Sequence, residues 1–212
     1  MSLHPEVLRT AQTRVLRQFG PVLTERRFYL AGGTAVAIHL GHRRSVDLGW
    51  FCQESIPDPL LLAQGIREAG VPFRTGRVDR GTLDGVVAGV RVSLLEYRYP
   101  LLEATIPWDG FGCLLASLAD LACMKLAAVA QRGAKKDFVD VYALGLRYRP
   151  LQGMLHLYTQ KYSVSDIAHL LYGLTYFDDA DRERMPRMLW RTNWSTIKQT
   201  IREWVRDVVA ET

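Results

Sequence analysis

The side chains best suited to chemistry cluster within residues 32–47: Gly32-Gly33-Thr34, then His42, Arg43, Arg44, Ser45 and Asp47. A Gly-Gly turn between an apolar strand and a helix lets backbone N–H groups approach a phosphate, because two residues without Cβ remove the steric barrier. Thr34 adds a hydroxyl donor at the start of that helix. His42, Arg43 and Arg44 place cationic donors just ahead of Ser45 and Asp47, and Asp47 is expected on a second strand as an oxygen ligand. Phosphate cradle, cations and a metal-binding carboxylate are the parts that phosphoryl or nucleotidyl transfer needs.

A second cluster lies some eighty residues on. Lys125, Arg132, Lys136, Asp137 and Asp140 follow the spacing K-x6-R-x4-D-x2-D, roughly, and Asp137 and Asp140 share one helical face. Lys125 sits inside an apolar run, where a lysine snorkels to water unless a partner holds it. The aspartate pair reads in two ways. It orients Lys or Arg against phosphates or acts as a base, or it is an ion-pair network joining two helices.

The two clusters together, AGGTA followed by GHRRSVDL and then the Lys-Arg-Asp-Asp spacing, resemble the AbiEii/AbiGii-type toxins of the DNA-polymerase-beta-like nucleotidyltransferase superfamily. The resemblance covers approximately residues 26 to 190. It implies metal-dependent transfer of a nucleotide from an NTP to an RNA or protein hydroxyl, with an RNA such as tRNA as one acceptor class and a cognate antitoxin as partner. By that likeness Gly32, Gly33, Thr34, Arg43, Ser45 and Arg132 bind the nucleotide, and Asp47, Lys125, Asp137 and Asp140 are catalytic. Asp47 would hold Mg2+.

One position departs from the family pattern. Its strand carries two acidic residues separated by one apolar residue, and Gly49 stands at the second. Residues i and i+2 of a strand face the same way, so a carboxylate at 49 would share a metal with Asp47. Its loss implies either an enzyme with altered, weakened metal use or a nucleotide- or partner-binding domain without turnover. A third family carboxylate is expected near Ser93. Glu96 is the nearest acid, readable as a metal ligand or as a residue at a strand end.

The elements that must position these residues follow from periodicity. Pro5 opens an apolar-striped helix that Gly20-Pro21 is expected to end. Asp58 caps, and Pro59 begins, a helix running to about Ala69. Residues 72 to 98 alternate with Gly turns and predict three meandering strands that extend the sheet. From Ser117 the chain is helical, first to the Gly133 stop and then through 135–148. Ser163 with Asp166 is a plausible cap for a helix at 167–177, and Phe177-Asp178-Asp179-Ala180-Asp181 reads as a solvated acidic loop. Trp190 and Trp194 sit in an irregular aromatic clamp, and a last helix runs from Ser195 to about Val209. The fold class expected is α/β: a nucleotidyltransferase-like small mixed sheet flanked by helices, at 1–110, with a C-terminal helical region packed on it at 111–212.

Composition bounds the reading. The 212 residues, 48% hydrophobic and 23% charged, suffice for a substantial core. A net charge of +5 mildly favours anionic partners. Cys52, Cys113 and Cys123 match neither a disulfide framework nor a zinc pattern. The N-terminal stretch lacks the apolar core of a signal peptide and no run is long enough for a bilayer, which predicts a cytoplasmic protein without membrane partners.

Overall fold

The computed structural model describes residues 3–210. The first strand, β1 (Tyr29–Ala31), runs into α2 (Gly32–Leu40) with Gly32 at φ +68, a left-handed conformation that glycine adopts without strain. The chain returns through an extended loop into β2 (Leu48–Cys52), antiparallel to β1 with Ala31 opposite Gly49. The expected meander is present as β3 (Phe73–Asp79), β4 (Thr82–Val87) and β5 (Val90–Glu96), turning at Gly81 and Gly89. β5 joins β2 in parallel, with Ser93 opposite Gly49. Two short strands that periodicity did not reveal, β6 (Ile106–Trp108) and β7 (Cys113–Leu115), complete a mixed sheet ordered β3-β4-β5-β2-β1-β7-β6.

Alternation along the strands splits the core in two. Leu30, Leu48, Trp50, Val92 and Leu94 face α1 (Thr10–Glu25) and α3 (Pro59–Glu68). Tyr29 and Ala31 face the other way, toward α4 (Leu118–Arg132), α5 (Lys135–Arg147) and the later helices, with Phe51 packed at their edge. The cap expected at Asp58 is present, accepting from Leu60 and Leu61 N–H, and Ser117 caps α4 by accepting from Asp120 N–H. α6 (Leu151–Tyr162), α7 (Ala168–Thr175), α8 (Asp178–Arg182) and α9 (Trp194–Ala210) finish the chain.

Five expectations need correction. Gly20-Pro21 does not end α1, which continues to Glu25. Gly20 instead lets the helix lie against the Phe111 carbonyl, 2.6 Å from where a Cβ would stand, and buried Leu23 carries the packing onward. Pro5 opens only a 3-10 turn, Pro5–Val7, before α1 begins. Ser163 ends α6 in a left-handed conformation rather than capping α7, whose Ala168 N–H is capped by Asp166 at 2.8 Å. Residues 178–182 form α8 rather than a loop, anchored where Asp181 accepts from Lys198 at 2.8 Å. Finally, β7 places the sheet's last strand beyond residue 110, because β1 needed a partner on its far edge. Residues 1–2 and 211–212 of the expected ranges lie outside the described residues. Among those described, no helix is long and apolar enough to cross a membrane.

Candidate active site

The second cluster and the loop after α2 converge into one buried ion network. Arg43 donates to both oxygens of Asp140, from Nε at 2.7 Å and Nη2 at 2.8 Å. His42 Nε2 donates to Asp140 Oδ1 at 2.7 Å, and Lys125 reaches Oδ2 at 2.7 Å. The same lysine donates to Asp137 Oδ1 at 2.8 Å, where Arg132 adds a two-pronged contact at 2.7 and 3.0 Å. Both aspartate side chains are 0% exposed. Burial alone would raise the Asp140 carboxyl, but the Arg43 and Lys125 charges and the hydrogen bonds from His42 and Arg43 hold it well below the carboxylate range. Burial opposes in the same way at Asp137, and Lys125 and Arg132 again win.

Local sequence explains how this network closes. Gly33, second in α2, gives clearance to Arg43: a Cβ there would overlap the guanidinium. The segment 187–190 seals the top. Arg43 forms a bridge with Met188, Arg44 N–H donates to the Arg187 carbonyl, and Leu189 N–H donates to the His42 carbonyl. Trp190 meets the His42 ring edge-on, and Trp194 packs on Phe138 and Phe177, so both tryptophans serve packing.

Asp47 lies elsewhere. It precedes β2 by one residue, and its half-exposed side chain, at 42%, accepts from Arg91 Nε at 2.8 Å and Nη2 at 3.2 Å. Thr34 is buried and donates its hydroxyl to the Asp47 carbonyl, fixing the backbone there instead of meeting a phosphate. Ser45 is partly exposed in the loop between Arg43 and Asp47. Glu96 sits opposite Cys52 on the other face of the sheet from Gly49 and Ser93, where it accepts from Ile56 N–H at 2.9 Å and pairs with Arg98. The structure does not bring Glu96 to Asp47.

Two pockets adjoin along β5. The larger, about 490 Å³, is lined by Gly32, Lys125 and Arg132 together with an aromatic wall that includes Phe51, Tyr97 and Tyr99. The smaller, about 310 Å³, holds Asp47, Asp84, Arg91 and Ser93. Asp47 and Lys125 therefore line different pockets, and Asp137 lines neither, although the family likeness makes all three catalytic. Arg91, Asp84 and the tyrosines were not singled out from sequence. Strand parity was the available signal, since Arg91 and Ser93 face one side and Asp84 lies across from Ser93.

Among the described residues, no three His, Cys, Asp or Glu side chains form a group able to hold a metal ion. Gly49 offers no ligand, and Asp47 is the sole acidic side chain in the expected position, already paired with Arg91. The residues do not fit a resident two-carboxylate metal site. A hard cation in the smaller pocket finds only Asp47 and Asp84, the first already paired with Arg91, and depends for its other ligands on whatever phosphate accompanies it.

No family model matches this chain. Solved structures share its fold, two of them over most of both chains. A Helicobacter pylori protein described as a "putative nucleotidyltransferase" superposes with a TM-score of 0.57 at 14% identity, over 99% of this chain and 97% of that one. MenT4, a nucleotidyltransferase toxin of Mycobacterium tuberculosis, gives 0.52 at 16% identity, over 93% and 82%. In sequence, the uncharacterized protein aq_aa25 of Aquifex aeolicus is 38% identical over 158 residues, covering 74% of this chain and 76% of that protein. On a nucleotidyltransferase fold, therefore, the chain belongs to the family of this Aquifex protein.

Proposed function

We infer that the protein binds a nucleoside triphosphate in the larger pocket and transfers its nucleotidyl group to a hydroxyl of RNA or protein. The supporting observation is the meeting of the Gly32 turn, Lys125 and Arg132 in one cavity beside an aromatic wall. Lys125 and Arg132 would neutralise the triphosphate, since a cation held by a fixed carboxylate needs no reorganisation as charge develops. Asp137 and Asp140 act through these cations, because each of their oxygens already accepts a hydrogen bond. Arg43 is buried and committed to Asp140, so it holds the network together and does not meet substrate. In the transfer, the acceptor oxygen bonds to the α-phosphorus, the bond from that phosphorus to the bridging oxygen breaks, and pyrophosphate leaves. The hydroxyl proton passes to water. Magnesium would come with the triphosphate, and Asp47, which lines the neighbouring pocket, would have to leave Arg91 to serve it.

The motif resemblance and the likeness to MenT4 extend the inference to a toxin with a cognate antitoxin. A second reading has its own support. Asp47 paired with Arg91, and Gly49 without a carboxylate, favour a domain that binds nucleotide or a partner without turnover. Labelled-NTP incorporation into total RNA and protein separates the two, with Asp47→Asn and Lys125→Met as comparisons. Label transferred by wild type and lost in both variants supports transfer. Tight NTP binding without label supports the second reading, and no binding of any NTP at millimolar concentration rejects transfer and nucleotide binding alike, leaving a partner-binding domain. Growth arrest on induced expression, relieved by a gene neighbour, tests the toxin assignment.

A further inference from the structure

The aromatic wall of the larger pocket has a use that ion pairs do not explain. Six rings run in series: Tyr29 stacks on Phe51, Phe51 meets Tyr97 edge-on, and Tyr97 leans on Tyr99 with centroids 5.1 Å apart. Tyr99 then meets Tyr162 edge-on at 4.7 Å, and Tyr162 packs on Tyr158 at 4.7 Å. The Tyr97 and Tyr162 hydroxyls hydrogen-bond to each other. Five of these rings are largely covered, but Tyr99 remains 47% exposed.

The segment that carries Tyr99 is unusually well fastened for a loop. Tyr97 N–H donates to the Cys52 carbonyl at 2.7 Å, and Gln53 donates to the Tyr99 carbonyl at 3.2 Å. Lys161, buried, donates from Nζ to the Pro100 carbonyl and to Asp120, both at 2.6 Å. Asp120, also buried, accepts from Leu102 and Glu103 N–H at 3.0 and 3.3 Å. The buried ion pair thus fixes the chain after Tyr99, the Cys52 and Gln53 bonds fix it before and at Tyr99, and a half-exposed aromatic ring is held in place at the cavity wall. A ring fixed in advance loses little entropy when a flat ligand stacks on it.

Resting on the reading of this pocket as a triphosphate site, we propose that Tyr99 is the stacking platform for the nucleobase. The base lies on the open face of Tyr99 and the phosphates run toward Gly32, Lys125 and Arg132, which line the same cavity. Stacking uses the π-face that every base has, so the platform accepts purines and pyrimidines alike. The Lys161–Asp120 pair positions the platform and touches no substrate.

Calorimetric titration with ATP, CTP and inorganic tripolyphosphate, in magnesium buffer, tests this. In Tyr99→Ala, affinity for both nucleotides should fall by about 5- to 100-fold, while tripolyphosphate binds as in wild type. Tyr99→Phe, which keeps the ring, should restore nucleotide affinity. Because Tyr99 is half exposed, the melting temperature of each variant should stay near that of wild type, which separates a binding effect from misfolding. Nucleotide affinity unchanged in Tyr99→Ala overturns the platform. Wild type that binds tripolyphosphate as tightly as the nucleotides overturns it too, while leaving the phosphate site standing. Wild type that binds none of the three overturns the platform and the triphosphate reading together.

Discussion

Replacing Asp140 by Asn tests whether the buried network is a structural requirement of the fold. The side chain is fully buried and each oxygen accepts from two donors: His42 and Arg43 at Oδ1, Arg43 and Lys125 at Oδ2. Asn keeps the shape but removes the charge and turns one acceptor into an NH2 group facing donors. Arg43 and Lys125 then remain buried with one less counter-charge. Breaking a buried pair by removing one partner costs about 3–5 kcal/mol. For a chain of this size about 2–4 °C of melting temperature goes with each kcal/mol, so the midpoint should fall by about 6–20 °C. Scanning calorimetry or circular dichroism reads this directly. Asp47→Asn is the control, since its pair with Arg91 is solvent-exposed and an exposed pair contributes about 0–1 kcal/mol. An Asp140→Asn midpoint within 2 °C, roughly, of wild type would refute the argument that the cations depend on that carboxylate.

Three further outcomes are expected. Burial drives the His42 imidazole below its ordinary value, and its Nδ1 has no partner among the described residues, so protonation would leave a buried donor unsatisfied. With the folded value depressed, the unfolded state binds more protons below about pH 6.5, and stability should fall on acidification from there at up to about 1.4 kcal/mol per pH unit for this group. Buried His39 adds a second contribution in the same direction. Urea midpoints at pH 7.5 and 5.5 should converge partly in His42→Asn, and an unchanged drop would exclude His42 as a source. Gly49→Asp should tighten Mn2+ binding by spin resonance at a cost of about 0.5–1 kcal/mol, because its Cβ comes 3.2 Å from the movable Phe51 ring; equal metal affinity would show that position 49 is not the missing ligand. Burial pushes the Cys52 thiol up to about 11 and Cys113 and Cys123 up to about 12, so a thiol reagent at pH 8 should react only after denaturant is added. Fast labelling of the native protein would contradict their burial.

The local signals decided the elements. A strand ending in Gly-Gly, an Asp-Pro cap, an apolar helical surface stopped by Gly133, and alternation broken by Gly turns each act within a few residues, so β1, α2, α3, α4 and the β3–β5 meander were readable in the chain. The spacing of Asp137 and Asp140 was equally local and placed both on one face of α5. Partnership was not local. Arg43 reaches Asp140 across 97 positions and Arg91 reaches Asp47 across 44. An arginine in sequence carries no mark of which carboxylate it will meet, or of whether the pair will be dry or wet. Packing of α2, α4 and α5 against one another decided that, by excluding water around one pair and leaving the other in the open. The same packing made Gly33 the clearance for Arg43, and gave Lys161 and Asp120 each other where the chain itself shows two unrelated charges 41 positions apart. Coulomb energy depends on distance and on the surrounding dielectric, and both come into being only when the chain has packed.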